Sequence, residues 1–127
     1  KNMDHEIQRV KKKMAAGAGF FLTQPVFSKE DAERIRRIKA STGARILCGI
    51  MPLISRKNAL FMKNEIAGIH VPDEIIERYP EAGSKEAGEA VGVAVAREIM
   101  TYTEDFTDGY YFSFPFNRVY LLERILN

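Results

Sequence analysis

Dense apolar runs alternate with longer segments whose apolar residues recur every three or four positions. The first run, Ala18-Gly19-Phe20-Phe21-Leu22-Thr23-Gln24-Pro25, has the length and content of a buried strand. It ends on a polar pair and a proline, which offers no backbone N–H to a ladder. A second run covers residues 44–52 and a third residues 110–115, and each also stops at a proline, Pro52 and Pro115. A glycine precedes each run (Gly17, Gly43, Gly109), as expected where a helix ends before a strand. Three helix–Gly–strand–Pro units predict parallel strands joined by crossover helices.

The segments between the runs read as amphipathic helices. Over residues 4–16, Ile7, Val10 and Met14 form one apolar stripe, with Asp4 expected as N-cap and Gly17 as the residue past the end. Glu6, Arg9 and Lys13 share the flank beside that stripe. Over residues 28–42, Ser28 is the expected cap, Glu30 and Asp31 sit in the first turn, and Ala32, Ile35 and Ile38 mark the core side. Ser55-Arg56-Lys57-Asn58 reads as a loop leading into a helix at Ala59, and Pro72 as the first position of a short helix. The longest helix is expected over residues 84–102. Its Gly88, Gly92 and Ala96 lie on one face and allow a close neighbour, expected to be a sheet. A last helix is expected over residues 117–126.

Composition narrows the class. The 127 residues are 46% hydrophobic, enough for one modest core. Charged residues make up 28% with a net charge of +2, a balance that does not call for a nucleic-acid or membrane partner. Cys48, the single cysteine, lies inside an apolar run and reads as a small buried hydrophobe. His5 and His70 lack the spacing of a zinc motif, so no metal site is expected. No apolar run reaches the length of a membrane span, and the first residues are not signal-like; a cytoplasmic setting is expected. Three parallel strands cannot close a barrel, so the chain is expected to be the C-terminal part of a larger α/β protein.

Candidate chemistry gathers at the strand ends, where side chains in parallel α/β folds meet ligands. Gln24 could donate to and accept from a heterocycle, or simply cap a loop. Glu6, Arg9, Lys12 and Lys13 could hold a ligand or form a solvated charged face. Arg118, expected at a helix N-terminus where a cation opposes the dipole, suits a carboxylate or phosphate. The Ser55–Asn58 stretch could bind an anion or cap a helix. Phe114 and Phe116 are the aromatics expected to reach a site edge. No phosphate loop, dinucleotide fingerprint, nucleophile elbow or paired-histidine motif is present. A binding face without a nucleophile or metal fits an enzyme whose cofactor carries the reaction.

The segments KKKMAAGAGFFLTQPVF, GIMPL, SRKNALFMKNEIAGIHVPDEI and SFPFNR together resemble the second half of the methylenetetrahydrofolate reductase family. The resemblance is greatest to bacterial bifunctional proteins with a fused homocysteine S-methyltransferase domain. It implies the last three strands of an eight-stranded (βα)8 barrel that binds FAD. It implies folate contacts by Gln24, Asn58 and Arg118, and flavin contacts by Glu6, Arg9, Lys12 and Lys13. Phe61 and Met62 fall near an aromatic that stacks on substrate in the family. The implied chemistry is hydride transfer from NAD(P)H to FAD and then to 5,10-methylenetetrahydrofolate, giving 5-methyltetrahydrofolate. The acid that protonates the folate nitrogen belongs to the first half of the barrel, so no catalytic residue is expected within this chain and the chain alone is expected to be inactive. A half-barrel would expose strand edges and self-associate. The readings from other classes are a non-catalytic half-barrel that serves assembly, and another barrel enzyme with an anionic ligand.

Overall fold

A computed structural model describes residues 2–127. The elements run α1 (Met3–Ala15), β1 (Phe21–Pro25), α2 (Lys29–Thr42), β2 (Ile46–Ile50), α3 (Arg56–Glu65), α4 (Asp73–Ile76), α5 (Lys85–Thr103), β3 (Gly109–Phe112), a 3-10 turn (Pro115–Asn117) and α6 (Leu121–Leu126). The strands form one parallel sheet in the order β1-β2-β3. This is the expected α/β architecture, parallel strands with crossover helices, and it matches part of a (βα)8 barrel.

Four helices begin where the sequence supplies a capping oxygen. The side chains of Asn2, Ser28, Ser55 and Ser84 accept the backbone N–H groups of His5, Asp31, Asn58 and Ala87. Asn2, not Asp4, therefore caps α1, and Asp4 sits in the first turn, where its charge suits the helix dipole. Ser55-Arg56-Lys57-Asn58 is a cap and first turn rather than a loop, because Ser55 Oγ takes the Asn58 N–H. Pro72 lies just before α4 instead of inside it.

The strand boundaries also shift. The expected 18–25 strand starts at Phe21, because Gly17 N–H and Ala18 N–H are used to close α1 onto Met14 and Lys13. Gly17 (φ +106°) and Gly43 (φ +69°) are left-handed, as a helix end requires. Gly109 is instead the first residue of β3, and the helix before it ends by Glu104. The expected 117–126 helix shortens to α6, because Phe116 (φ 55°) and Asn117 (φ 58°) are left-handed and cannot start an α-helix.

Alternation along the strands divides the sheet into two faces. Ile46, Cys48 and Ile50 of β2 face the helices and are buried, Cys48 among Val10, Met14, Ile35 and Ile38 of α1 and α2. Each large apolar side chain so buried contributes about 1.5–3 kcal/mol. A second cluster joins Ile50 and Val26 to α5 and α6 through Val93, Ala96, Ile99, Leu121 and Ile125. A third lies under α3 and α4, around Leu53, Met62, Val71 and Tyr79. The opposite face is open: Leu22 of β1 is 58% exposed and the preceding Phe20 56%. On that face Tyr111 of β3 lies across Gly49 of β2, where an added Cβ would stand 2.7 Å from the ring, and its hydroxyl donates to the carbonyl of Thr23 in β1.

Gly88 and Gly92 admit a close neighbour, as the sequence suggests; their neighbour is a loop, while Ala96 on the same face packs with Ile50 of the sheet as expected. A Cβ at Gly88 would stand 2.0 Å from the carbonyl oxygen of Ile54, and one at Gly92 2.1 Å from that of Leu53. Helix α5 thus presses directly on the backbone that links β2 to α3. Tyr79 Oη donates to the same Leu53 oxygen at 2.9 Å. Burial raises the Tyr79 phenol well above its ordinary range.

Candidate functional site

An apolar cleft of about 510 Å³ opens between α3 and the segment after β3. Asn58, Phe61 and Met62 line one side, Pro115 and Phe116 the other. The α3 side is fixed by the Leu53–Ile54 backbone beneath it: Asn58 Oδ1 accepts the Ile54 N–H at 3.1 Å. That bond uses the amide oxygen and leaves the two N–H donors of Asn58 unpartnered among the described residues. Phe61 is 54% exposed and Phe116 76%. Large aromatics held this open are suited to stack on a flat ring. The Phe116–Asn117 pair is held in left-handed backbone, a conformation that asparagine tolerates but that costs roughly 1–2 kcal/mol at Phe116. Phe114 instead turns inward and stacks on Phe112, with ring centroids 6.2 Å apart.

A second, smaller cleft lies at the end of β1. Leu22 pairs with Leu47 and Pro25 with Gly49, so Thr23 and Gln24 together stand opposite Cys48, a one-residue bulge. Thr23 Oγ1 replaces the missing ladder bond: it accepts the Gly49 N–H at 2.9 Å and donates to the Gln24 carbonyl at 2.8 Å. Gln24 is exposed and lines this cleft with Glu6, Asp31 and Arg34. Glu6 is hydrogen-bonded to Arg34, and Asp31 lies 3.4 Å from His70 Nδ1. Arg9, Lys12 and Lys13 continue along α1, all exposed, and form no ion pair among the described residues.

Arg118 does not start a helix; it closes the 3-10 turn, three residues before α6. Its Nη1 donates to Oε2 of Glu89 on α5 at 2.7 Å. Glu89 is 3% exposed and also accepts a hydrogen bond from Tyr120 Oη, with Arg124 Nη1 at 3.6 Å from Oε1. Burial opposes ionisation of this carboxyl, yet the bonds from Tyr120 and Arg118 prevail and hold it below the usual carboxylate range.

The expected site residues thus fall into three groups. Gln24 and Glu6 share one cleft, while Arg9, Lys12 and Lys13 lie farther along α1 and do not line it. Asn58, Phe61 and Met62 share another. Arg118 sits at the Glu89 cluster, next in sequence to the wall of the apolar cleft. Sequence reasoning missed Glu89, Tyr120 and the Thr23 bulge. Glu89 did leave a signal: it is a charge between Gly88 and Gly92 on the face of α5 that packs most closely. The bulge left none, since it depends on the register between strands.

Among the described residues, no helix is long and apolar enough to cross a membrane, and no group of three His, Cys, Asp or Glu side chains could hold a metal. No curated protein matched the chain. The family model described as methylenetetrahydrofolate reductase matches residues 1–108, which carry α1 to α5, β1, β2, Gln24 and Asn58. Phe116 and Arg118 lie after that span. With more than half of its residues matched, the chain belongs to the methylenetetrahydrofolate reductase family.

Proposed function

We propose that residues 1–127 form the C-terminal part of a methylenetetrahydrofolate reductase barrel that uses FAD and NAD(P)H, and that a homocysteine S-methyltransferase domain is fused to it. The observation that carries the folate reading is the apolar cleft in which Asn58 donors stand beside Phe61 and Phe116. A pterin or aminobenzoyl ring is flat, apolar on its faces and polar at its edge, and this lining offers both surfaces. Arg118 lies close in sequence to that wall and suits the carboxylates of a folate tail.

The donor set of α1 fits a flavin dinucleotide by charge. Arg9, Lys12 and Lys13 are exposed cations without carboxylate partners among the described residues, as a diphosphate would require. Glu6, an acceptor beside Gln24, suits the hydroxyls of a ribityl chain. When bound, FAD supplies the hydride that reduces the methylene of the folate, after receiving one from NAD(P)H. Gln24 orients the pterin through its amide at the end of β1, and Phe61 and Phe116 offer ring faces to the aminobenzoyl group in the separate apolar cleft. No carboxylate lines the apolar cleft, and the carboxylates beside Gln24 already face Arg34 and His70. In keeping with the family resemblance, protonation of the folate nitrogen is assigned to the first half of the barrel, and the chain alone is expected to be inactive.

The open apolar face of the sheet favours a second reading, a half-barrel that serves assembly without catalysis. Thermal unfolding with FAD separates the two. FAD at about a hundred times its Kd should add about 2.7 kcal/mol of stability. No upward shift in Tm at saturating FAD would remove the reductase reading. A shift produced by a simple sugar phosphate and not by a folate would point to a different barrel enzyme.

A further inference from the structure

We infer that Glu89 is a positioning residue for the ligand cleft: it holds the segment after β3 so that Phe116 stands as the wall opposite α3. The ligand identity in this inference rests on the folate reading above; the hold on the segment does not.

A carboxylate buried to 3% exposure is costly unless it is fully paired. The groups that pair Glu89 all come from one short stretch: Arg118 Nη1 at 2.7 Å, Tyr120 Oη, and Arg124 Nη1 at 3.6 Å. Lys85, one turn earlier on α5, adds its Nζ over the Tyr120 ring at 5.7 Å from the centroid. Helix α5 is itself locked to the β2–α3 backbone through Gly88 and Gly92, so Glu89 is a fixed post. The same backbone carries Asn58 on the far side of the cleft. Glu89 therefore ties one wall of the cleft to the frame that carries the other.

The tethered stretch needs an anchor. Phe116 and Asn117 are both left-handed, a backbone state that asparagine tolerates but that an aromatic such as Phe116 keeps only when the surroundings impose it. Upstream, the β2–β3 ladder and its extension, Ser113 N–H to the Ile50 carbonyl, fix the chain up to residue 113. Downstream, α6 is held by Leu121 and Ile125 in the core but has no side-chain cap. The Glu89 cluster is the polar anchor between these two points. It also takes one end of the Arg118 guanidinium and fixes its direction, leaving the other nitrogens for an anionic group.

The test is a titration of the 127-residue chain with 5-methyltetrahydrofolate, together with amide hydrogen exchange over residues 114–120. The variants are Glu89→Ala, Glu89→Gln and Tyr120→Phe. Glu89→Ala should raise the Kd by about tenfold and speed exchange over 114–120, with β2 and the middle of α5 unchanged. Glu89→Gln keeps an acceptor for Arg118 and Tyr120 and should fall between. Tyr120→Phe removes one bond without burying an unpaired charge and should speed the same amides. Unchanged exchange over 114–120 in Glu89→Gln and Tyr120→Phe would overturn the inference, as would faster exchange spread evenly over the chain. Wild-type chain that fails to bind the folate refutes the folate reading instead, and the exchange result still decides whether Glu89 holds the segment.

Discussion

Replacing Gly92 with alanine should destabilise the chain by about 2 kcal/mol, although alanine is the better helix former. An added Cβ would stand 2.1 Å from the Leu53 carbonyl oxygen, 3.2 Å from its carbon and 3.3 Å from its nitrogen. A relaxed carbon–oxygen contact is about 3.3 Å or longer, so the two backbones must separate by roughly 1.2 Å. The carbonyl cannot simply swing aside, because it accepts the Tyr79 hydroxyl at 2.9 Å. Helix α5 must then withdraw, opening a gap beside Val93, Ala96 and Ile99. A gap of 0.5–1 Å forfeits about a quarter to a half of each contact. Forcing a methyl into such packing costs about 1–3 kcal/mol, and with backbone on both sides we take the upper end. The gain from removing a helical glycine is about 1 kcal/mol. The net of about 2 kcal/mol corresponds to a fall in Tm of roughly 8 °C for a chain of this size. Urea unfolding followed by far-UV circular dichroism measures it, with Arg97→Ala, at an exposed position on the same helix, as the control expected within about 0.5 kcal/mol. If Gly92→Ala proves as stable as wild type or more stable, α5 does not press on that loop.

Asp108 gives a pH signature. Its carboxylate accepts bonds from Lys39 Nζ at 2.7 Å and from Ile46 N–H at 2.8 Å, and these hold it below the usual carboxylate range. A pKa depressed on folding adds stability that is complete above the unfolded value, about 3.9, and is lost as pH falls through the folded one. Asp108→Asn should therefore flatten the fall in Tm below about pH 4; an acid limb identical to wild type would contradict the assignment. On the open face, Leu22 at 58% exposure, next to Phe20 at 56%, should drive self-association along the free edge of β1. Light scattering should show oligomers that Leu22→Lys dissociates, and a wild-type chain that stays monomeric at high concentration would refute this.

The architecture was legible because the apolar runs and the caps agreed. Ser28 and Ser84 start their helices where the sequence places them, and Gly17 and Gly43 adopt the left-handed state expected past a helix end. The misreadings share a cause. The start of β1, the strand role of Gly109 and the shortened α6 each depend on which backbone groups bond to which, and side-chain patterns do not record that. Arg118 was misplaced for the same reason: the left-handed Phe116 and Asn117 leave no helix N-terminus there. Of the candidate site, the Ser55–Asn58 stretch could be read from its place after a strand, whereas Phe61 is pointed to only by the family resemblance. The bulge beside Gln24 and the pairing of Glu89 with a stretch 29 residues away could not, because both arise from tertiary register.

The ring of Tyr111 fills the space that a side chain at position 49 would need, and its hydroxyl reaches the carbonyl of Thr23 on the far strand. The two positions are therefore coupled. An alanine or valine at position 49 would push the far end of the Tyr111 side chain aside, and with it the strut that joins the outer strands. Natural variation at this pair thus becomes a record of sheet geometry that can be read without a structure.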